Sequence, residues 1–205
     1  MWISRMTLNP ENGEANRDIG NADQLHKTVM SGMPESCDTP VLYRLDRNRG
    51  FQVTVVSHVQ PNWTGLVDGT NPYLLEPPSI KPYDPVISTG DVLRFRLRAH
   101  PTVSKKIGDL GHDDRGKPLF IRTTDAREEW LHGRASKLGF SVLGCQEVEI
   151  GSIHCKRKEG CIKIPYVTFQ GTLRVDDDRT FIETLGRNVG QKRAFGCGLL
   201  SIMRA

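Results

Sequence analysis

His26, with Asp23 three residues before it and Lys27 immediately after, is the group in this chain best placed to do chemistry. Imidazole titrates near neutrality, at about pH 6.5, so it can take or give a proton under ordinary conditions. A carboxylate one helical turn earlier lies on the same side and favours the imidazolium, whereas a helix N-terminus disfavours it. One reading is a general acid–base site in which His26 moves the proton, Asp23 orients it or accepts a proton, and Lys27 or a cation of the 156–163 segment steadies a negative charge. The competing reading is an ordinary packed or exposed histidine. His58 on a strand, His100 and His112 flanking the long loop, His132 on a helix and His154 beside the basic run are weaker candidates, and no Gly-x-Ser-x-Gly elbow marks a serine nucleophile.

Positive charge gathers elsewhere. Lys156, Arg157, Lys158 and Lys163 sit between two apolar stretches and make a cationic hairpin that can reach the phosphates of a folded RNA; a solvated turn is the alternative. Gly186, Gly190, Gly196 and Gly198, with Arg187, Lys192 and Arg193 among them, form a glycine-rich segment. Free backbone N–H groups in such a loop can cradle an anion, with Gly190, Lys192 and Arg193 as its expected contacts; a plain glycine-rich turn before a last strand is the alternative. No Gly-Lys-Ser/Thr closes the loop, which excludes a nucleotide-hydrolysing P-loop. Alternation over 91–99 puts Arg94, Arg96 and Arg98 on one strand face. No aromatics interleave them, so bases are not expected to stack there. Lys105 and Lys106 begin a long polar loop and complete the expected RNA contacts.

Metal chemistry finds little support. His154, Cys155 and Cys161 with Cys145 upstream match no common zinc spacing, and Asp176–Asp178 reads as a turn that supplies negative charge to a helix start. No cofactor or metal is expected.

The elements that must position these groups follow from periodicity. Strand patterns cover 1–8, 41–46 and 51–60, and a helix is expected over 19–33, with Asn21 as N-cap, Gln24 completing a capping box, and Leu25, Val29 and Met33 facing the core. Residues 9–16 read as a loop, 62–67 as a short helix, and the proline-rich 72–85 as an edge strand or linker. In the second half strands are expected over 91–99, 140–150 and 162–175, and helices over 124–138, capped by Thr124 or Asp125, and 178–185. A last strand over 199–202 follows the glycines. Each half thus reads approximately as βαββαβ, the ferredoxin-like order. The expected fold is α+β, with tandem ferredoxin-like (RRM-like) domains over 1–88 and 89–205.

Composition agrees with a soluble globular protein: 205 residues, 37% hydrophobic and 25% charged. No apolar run approaches the roughly 20 residues that span a bilayer. Met1–Leu8 is too short and too polar for a signal peptide, so the five cysteines are expected as reduced thiols in a cytoplasm. The net charge of +4 divides as −3 over residues 1–90 and +7 over 91–205. A basic half suggests a polyanionic partner; a solvated cationic face is the alternative.

Four blocks, taken together and in order, resemble one family. They are Met1-Trp2-Ile3-Ser4; Arg17-Asp18 with Leu25-His26; Leu93-Arg94-Phe95-Arg96-Leu97-Arg98-Ala99-His100-Pro101; and Gly190-x-x-x-Ala194-Phe195-Gly196-Cys197-Gly198-Leu199-Leu200-Ser201. The chain is similar to the CasE family, the CRISPR-RNA-processing endoribonucleases of type I-E systems. The resemblance implies tandem ferredoxin-like domains that bind the stem-loop of a CRISPR repeat. It further implies one metal-free cut at the stem base, and retention of the product as a subunit of the Cascade complex.

The family's catalytic histidine falls on His26, its basic hairpin near Lys156–Lys158 and its glycine-rich loop near Gly190–Gly198. One departure stands out: Asp23 occupies the place of the family tyrosine three residues before the histidine. Milder variations lie at His100 and at Arg193–Ala194. The alternative to the enzyme is a non-catalytic RNA-hairpin-binding subunit.

Overall fold

The computed structural model describes residues 1–47, 50–104, 118–157 and 160–204. Two four-stranded antiparallel sheets dominate it. The first contains β1 (Trp2–Leu8), β2 (Leu42–Asp46), β3 (Phe51–Ser57) and β4 (Ser79–Pro82), in the order β2-β3-β1-β4. The second contains β5 (Val92–Ala99), β8 (Phe140–Arg157), β9 (Gly160–Val175) and β10 (Leu200–Arg204), in the order β10-β5-β9-β8. Counted within its own half, each sheet places its fourth strand beside its first, then its third, then its second. That is the ferredoxin-like arrangement, repeated in tandem. A small ladder, β6 (Thr102–Ser104) against β7 (Pro118–Phe120), joins β5 to the next helix.

Helices cover one face of each sheet. In the first half α1 (Gly13–Gly20) and α2 (Ala22–Ser31) lie where one continuous helix was expected from Ile19, and α1 begins inside the expected loop. The break has a local cause. Asn21 is extended (φ −144°, ψ 103°), and its side chain accepts from Asp23 N, capping α2 from outside the helix. Asn12 caps α1 in the same way, through Glu14 N and Ala15 N. Asp18 then ties the two helices to the sheet side: its buried carboxylate accepts from Thr28 Oγ1 (2.5 Å), Tyr73 Oη (2.9 Å) and Arg17 Nε (2.9 Å).

Besides its split first helix, the first half departs from the full βαββαβ order at its second. Its expected short helix is only a 3-10 turn, Thr64–Leu66, after which the proline-rich stretch supplies the edge strand β4. Prolines lack the N–H that a central strand must donate, which keeps this segment at the sheet edge. The second half keeps both helices, α3 (Thr124–Ala135) and α4 (Asp178–Leu185). Thr123, not Thr124 or Asp125, is the N-cap residue of α3, and Gly139 follows that helix with φ +80°.

Leu25 and Val29 of α2 pack with Met6, Val53, Val55 and Trp63 in one core. Phe95, Leu97, Phe140, Phe169, Phe181 and Leu185 build the other. A third, smaller cluster of Leu42, Val56 and Leu199 draws on both halves and joins them.

Candidate active site on the second helix

The amphipathic pattern of α2 sets the position of His26. Leu25 and Val29 turn into the core, so the neighbouring residue 26 lies at the border of the buried stripe and is half-buried. The imidazole lies against the ring of Tyr43 from β2, with centroids 6.1 Å apart and planes inclined by 18°. Tyr43 itself is buried, and its hydroxyl donates to Ala194 O at 2.7 Å. His26 Nδ1 is buried with no hydrogen-bond partner among the described residues. Asp23 and Lys27 form an ion pair at 3.2 Å across one helical turn.

Burial is the main influence on His26 and pushes its pKa below the ordinary 6.5. Asp23 opposes that shift, and the Arg193 guanidinium reinforces it. The ring is therefore neutral at pH 7. Burial also holds the Tyr43 hydroxyl well above the ordinary 10, so that group stays protonated and serves as a donor.

The glycine-rich segment closes over this site. Arg193–Phe195 form a 3-10 turn packed against α2, entered through Lys192 with φ +68° and left through Gly196 with φ +79°. A Cβ on Gly196 would stand 3.3 Å from the Tyr43 ring, a tight contact, and the φ of +79° is one that side chains with a Cβ rarely adopt, so glycine suits this approach. Several N–H groups expected to face an anion are used internally: Phe195 N donates to Lys192 O, Gly196 N to Arg193 O and Gly198 N to Arg98 O. Gly190 packs on Trp130. The cationic side chains of Lys192 and Arg193 are exposed.

The basic segment is not a connection between two strands. After two register shifts, β8 and β9 pair without a break from Glu149↔Thr168 to Arg157↔Gly160, so Lys156 lies within the hairpin itself. His154 faces Lys163 and Lys156 faces Cys161 across the ladder, which places these four residues on one exposed strand face. Lys105, Lys106 and Lys158 lie outside the described residues, and Arg157 is described in its backbone pairing. No three His, Cys, Asp or Glu side chains converge as a ligand set among the described residues.

Arg94, Arg96 and Arg98 fall elsewhere. Their strand face turns towards the first sheet, where acidic groups meet them. Arg98 is buried (5% exposed); it donates to Glu149 Oε2 at 3.0 Å and to Leu45 O at 2.7 Å. Arg96 reaches Asp46 at 3.4 Å. Arg94 alone of the three is exposed, with Nη2 3.8 Å from Met203 Sδ. The site at His26 is thus assembled from α2, β2, the 3-10 turn and the β8–β9 hairpin, without this arginine row.

A family model described as CRISPR associated protein matches residues 1–204. The chain belongs to this CRISPR-associated family. It is 30% identical over 220 aligned residues to CRISPR-associated endoribonuclease Cse3 of Thermus thermophilus, an alignment covering 98% of this chain and 99% of the relative. A solved structure of CRISPR endoribonuclease Cse3 bound to 19-nucleotide RNA superposes with a TM-score of 0.85 at 29% identity, covering 99% of this chain and 100% of that one. Cas6e of Escherichia coli K-12 shares the fold, with a TM-score of 0.75 at 19% identity and 100% coverage of both chains.

Two features of this CRISPR-associated protein were beyond sequence reasoning. Tyr43 lies seventeen positions from His26 on a different element, and its alternating strand pattern reads simply as core. The second is a contact of Asn21: its capping role is legible locally, whereas its partner is 135 positions away.

Proposed function

We propose that this protein is a metal-independent endoribonuclease that binds the stem-loop of CRISPR repeat RNA and cuts the precursor transcript once at the stem base. The observation that carries the reading is the neutral, half-buried His26 beside exposed cations on a chain alignable end to end with an endoribonuclease. In the proposed reaction the RNA's own 2′-hydroxyl attacks the adjacent phosphorus, leaving a 2′,3′-cyclic phosphate and a 5′-hydroxyl. His26 moves the proton, and with Nδ1 buried the ring meets the substrate through Nε2. Positioned proton transfer of this kind contributes about 10²–10⁴-fold. Lys27 and Arg193 stabilise the phosphorane charge, and Asp23 orients and tunes the imidazole through the field it exerts on it.

Lys156, Lys163 and Lys192, with Lys105, Lys106, Arg157 and Lys158, supply the cations that meet the stem phosphates. The division of labour follows the two halves: residues 1–88 carry the catalytic helix, and 89–205 the basic hairpin and glycine-rich loop. The product stays bound, and the protein acts in the cytoplasm as a subunit of Cascade. No helix among the described residues is long and apolar enough to cross a membrane.

Cleavage of a host repeat hairpin by wild type and His26→Ala, with and without chelator, tests the proposal. The variant should lose at least 10²-fold in rate, and chelator should leave wild type unaffected. Near-normal cutting by His26→Ala removes the histidine from the mechanism. Hairpin binding without cleavage by wild type would make the chain a non-catalytic RNA-binding subunit.

A further inference from the structure

Asn21 does more than begin α2. Its amide pairs with both backbone groups of Lys156: Nδ2 donates to Lys156 O at 3.1 Å, and Oδ1 accepts from Lys156 N at 3.1 Å. The same Oδ1 accepts from Asp23 N at 3.2 Å, as the helix cap. β8 is the outer strand of its sheet, so its outward N–H and C=O groups have no neighbouring strand to meet them. At Lys156 the Asn21 side chain stands in for one peptide unit of such a strand. Asn21 is 8% exposed, so the pairing is sheltered from water.

This joins two elements that have separate tasks under the proposed endoribonuclease function, on which the inference rests. His26 is five residues beyond Asn21, about 7.5 Å along the helix axis. Lys156 shares an exposed strand face with His154 and Lys163. We propose that Asn21 is a positioning residue, a clasp that fixes the distance between the phosphate-binding hairpin and the His26 imidazole, so that docking of RNA on the hairpin brings the scissile phosphate to the ring. The side-chain requirement is narrow. A donor and an acceptor must be presented together at this reach; aspartate lacks the donor, and serine caps a helix as well as asparagine but is too short to span to Lys156. Displacements near 1 Å at a distance from the reacting atoms can cost about 10²-fold in rate.

The test compares wild type, Asn21→Ser and, as a cap swap remote from the hairpin, Asn12→Ser. Single-turnover cleavage is measured at saturating protein, and affinity is measured with a repeat hairpin carrying a 2′-deoxy nucleotide at the scissile position. Asn21→Ser should cut 10- to 100-fold more slowly with affinity within threefold of wild type, while Asn12→Ser cuts normally. A rate for Asn21→Ser within twofold of wild type overturns the inference, as does an affinity loss that accounts for the whole rate loss. Should wild type cut no repeat hairpin, the endoribonuclease reading falls by itself. Amide exchange then judges the clasp: Lys156 N–H should exchange at least tenfold faster in Asn21→Ser, and unchanged exchange overturns it.

Discussion

Arg44 and Arg98 cross between the two sheets in opposite directions. Arg44, on β2, donates to Ser201 Oγ at 2.9 Å in the second half. Arg98, on β5, donates to Leu45 O at 2.7 Å in the first. Asp46 lies 2.8 Å from Arg44 Nε and 3.9 Å from Arg98 Nη2, and Glu149 accepts from Arg98 on the far side. Tyr166 and Thr168 also donate to Glu149; together with Arg98 they hold its pKa below the ordinary 4.5, although burial alone would raise it. The two halves are therefore locked by buried arginines paired with half-buried carboxylates as well as by the Leu42–Val56–Leu199 cluster.

Breaking a fully buried pair costs about 3–5 kcal/mol; with Glu149 and Asp46 part-exposed, the loss here falls at or below the low end, about 2–3 kcal/mol. Arg98→Ala should lose that much stability in urea denaturation, because Glu149, Leu45 O and Asp46 all lose a donor or counter-charge. Arg94→Ala, an exposed change on the same strand, should stay within about 0.5 kcal/mol of wild type. Equal effects from the two would separate the halves' cohesion from this network.

The pH dependence of cleavage should move in opposite directions in two variants. Asp23 raises the pKa of His26, so Asp23→Asn lowers it and shifts the histidine limb of the pH–rate profile to lower pH. Arg193 lowers that pKa, so Arg193→Ala shifts the limb to higher pH. The direction is the same for a rising limb, where the neutral ring takes a proton, and for a falling limb, where the imidazolium gives one. Measured as kcat/KM, the limb reports the free protein and in wild type should lie below 6.5. A limb that moves the same way in both variants would detach the titration from His26.

Gly198 should tolerate no side chain. Its φ is +92°, and a Cβ there would overlap Asn188 Oδ1. Gly198→Ala should destabilise by more than about 1 kcal/mol, since alanine resists positive φ and Asn188 must also move. Gly13, at the start of α1, has an ordinary helical φ and open space where a Cβ would stand, so Gly13→Ala should be stabilising by about 0.4–1 kcal/mol. Thermal denaturation of both variants against wild type reads the contrast directly.

Sequence alone determined the elements whose cause is local. The strand alternation of 2–8 and 92–99, the cap at Asn21, the glycine after α3 and the placement of His26 beside Leu25 all depend on neighbours within a turn or two, and each is legible there. Break points were harder: the first half of α1 reads as loop and its end merges with the next helix, because Ala15 and Ile19 make a thin apolar stripe and its buried Asp18 looks like a surface residue until Tyr73 and Thr28 are seen to reach it. Alternation also shows that Arg94, Arg96 and Arg98 share a face, but not what lies over that face. Asp46 and Glu149, brought there by other strands, turn a row that reads as basic surface into a largely neutralised seam. Tertiary structure alone decided that Tyr43 backs the imidazole, that Arg193 tunes it, and that Asn21 grips a strand 135 positions away, because a side chain's chemistry is set by the groups packed on it and those come from distant parts of the chain.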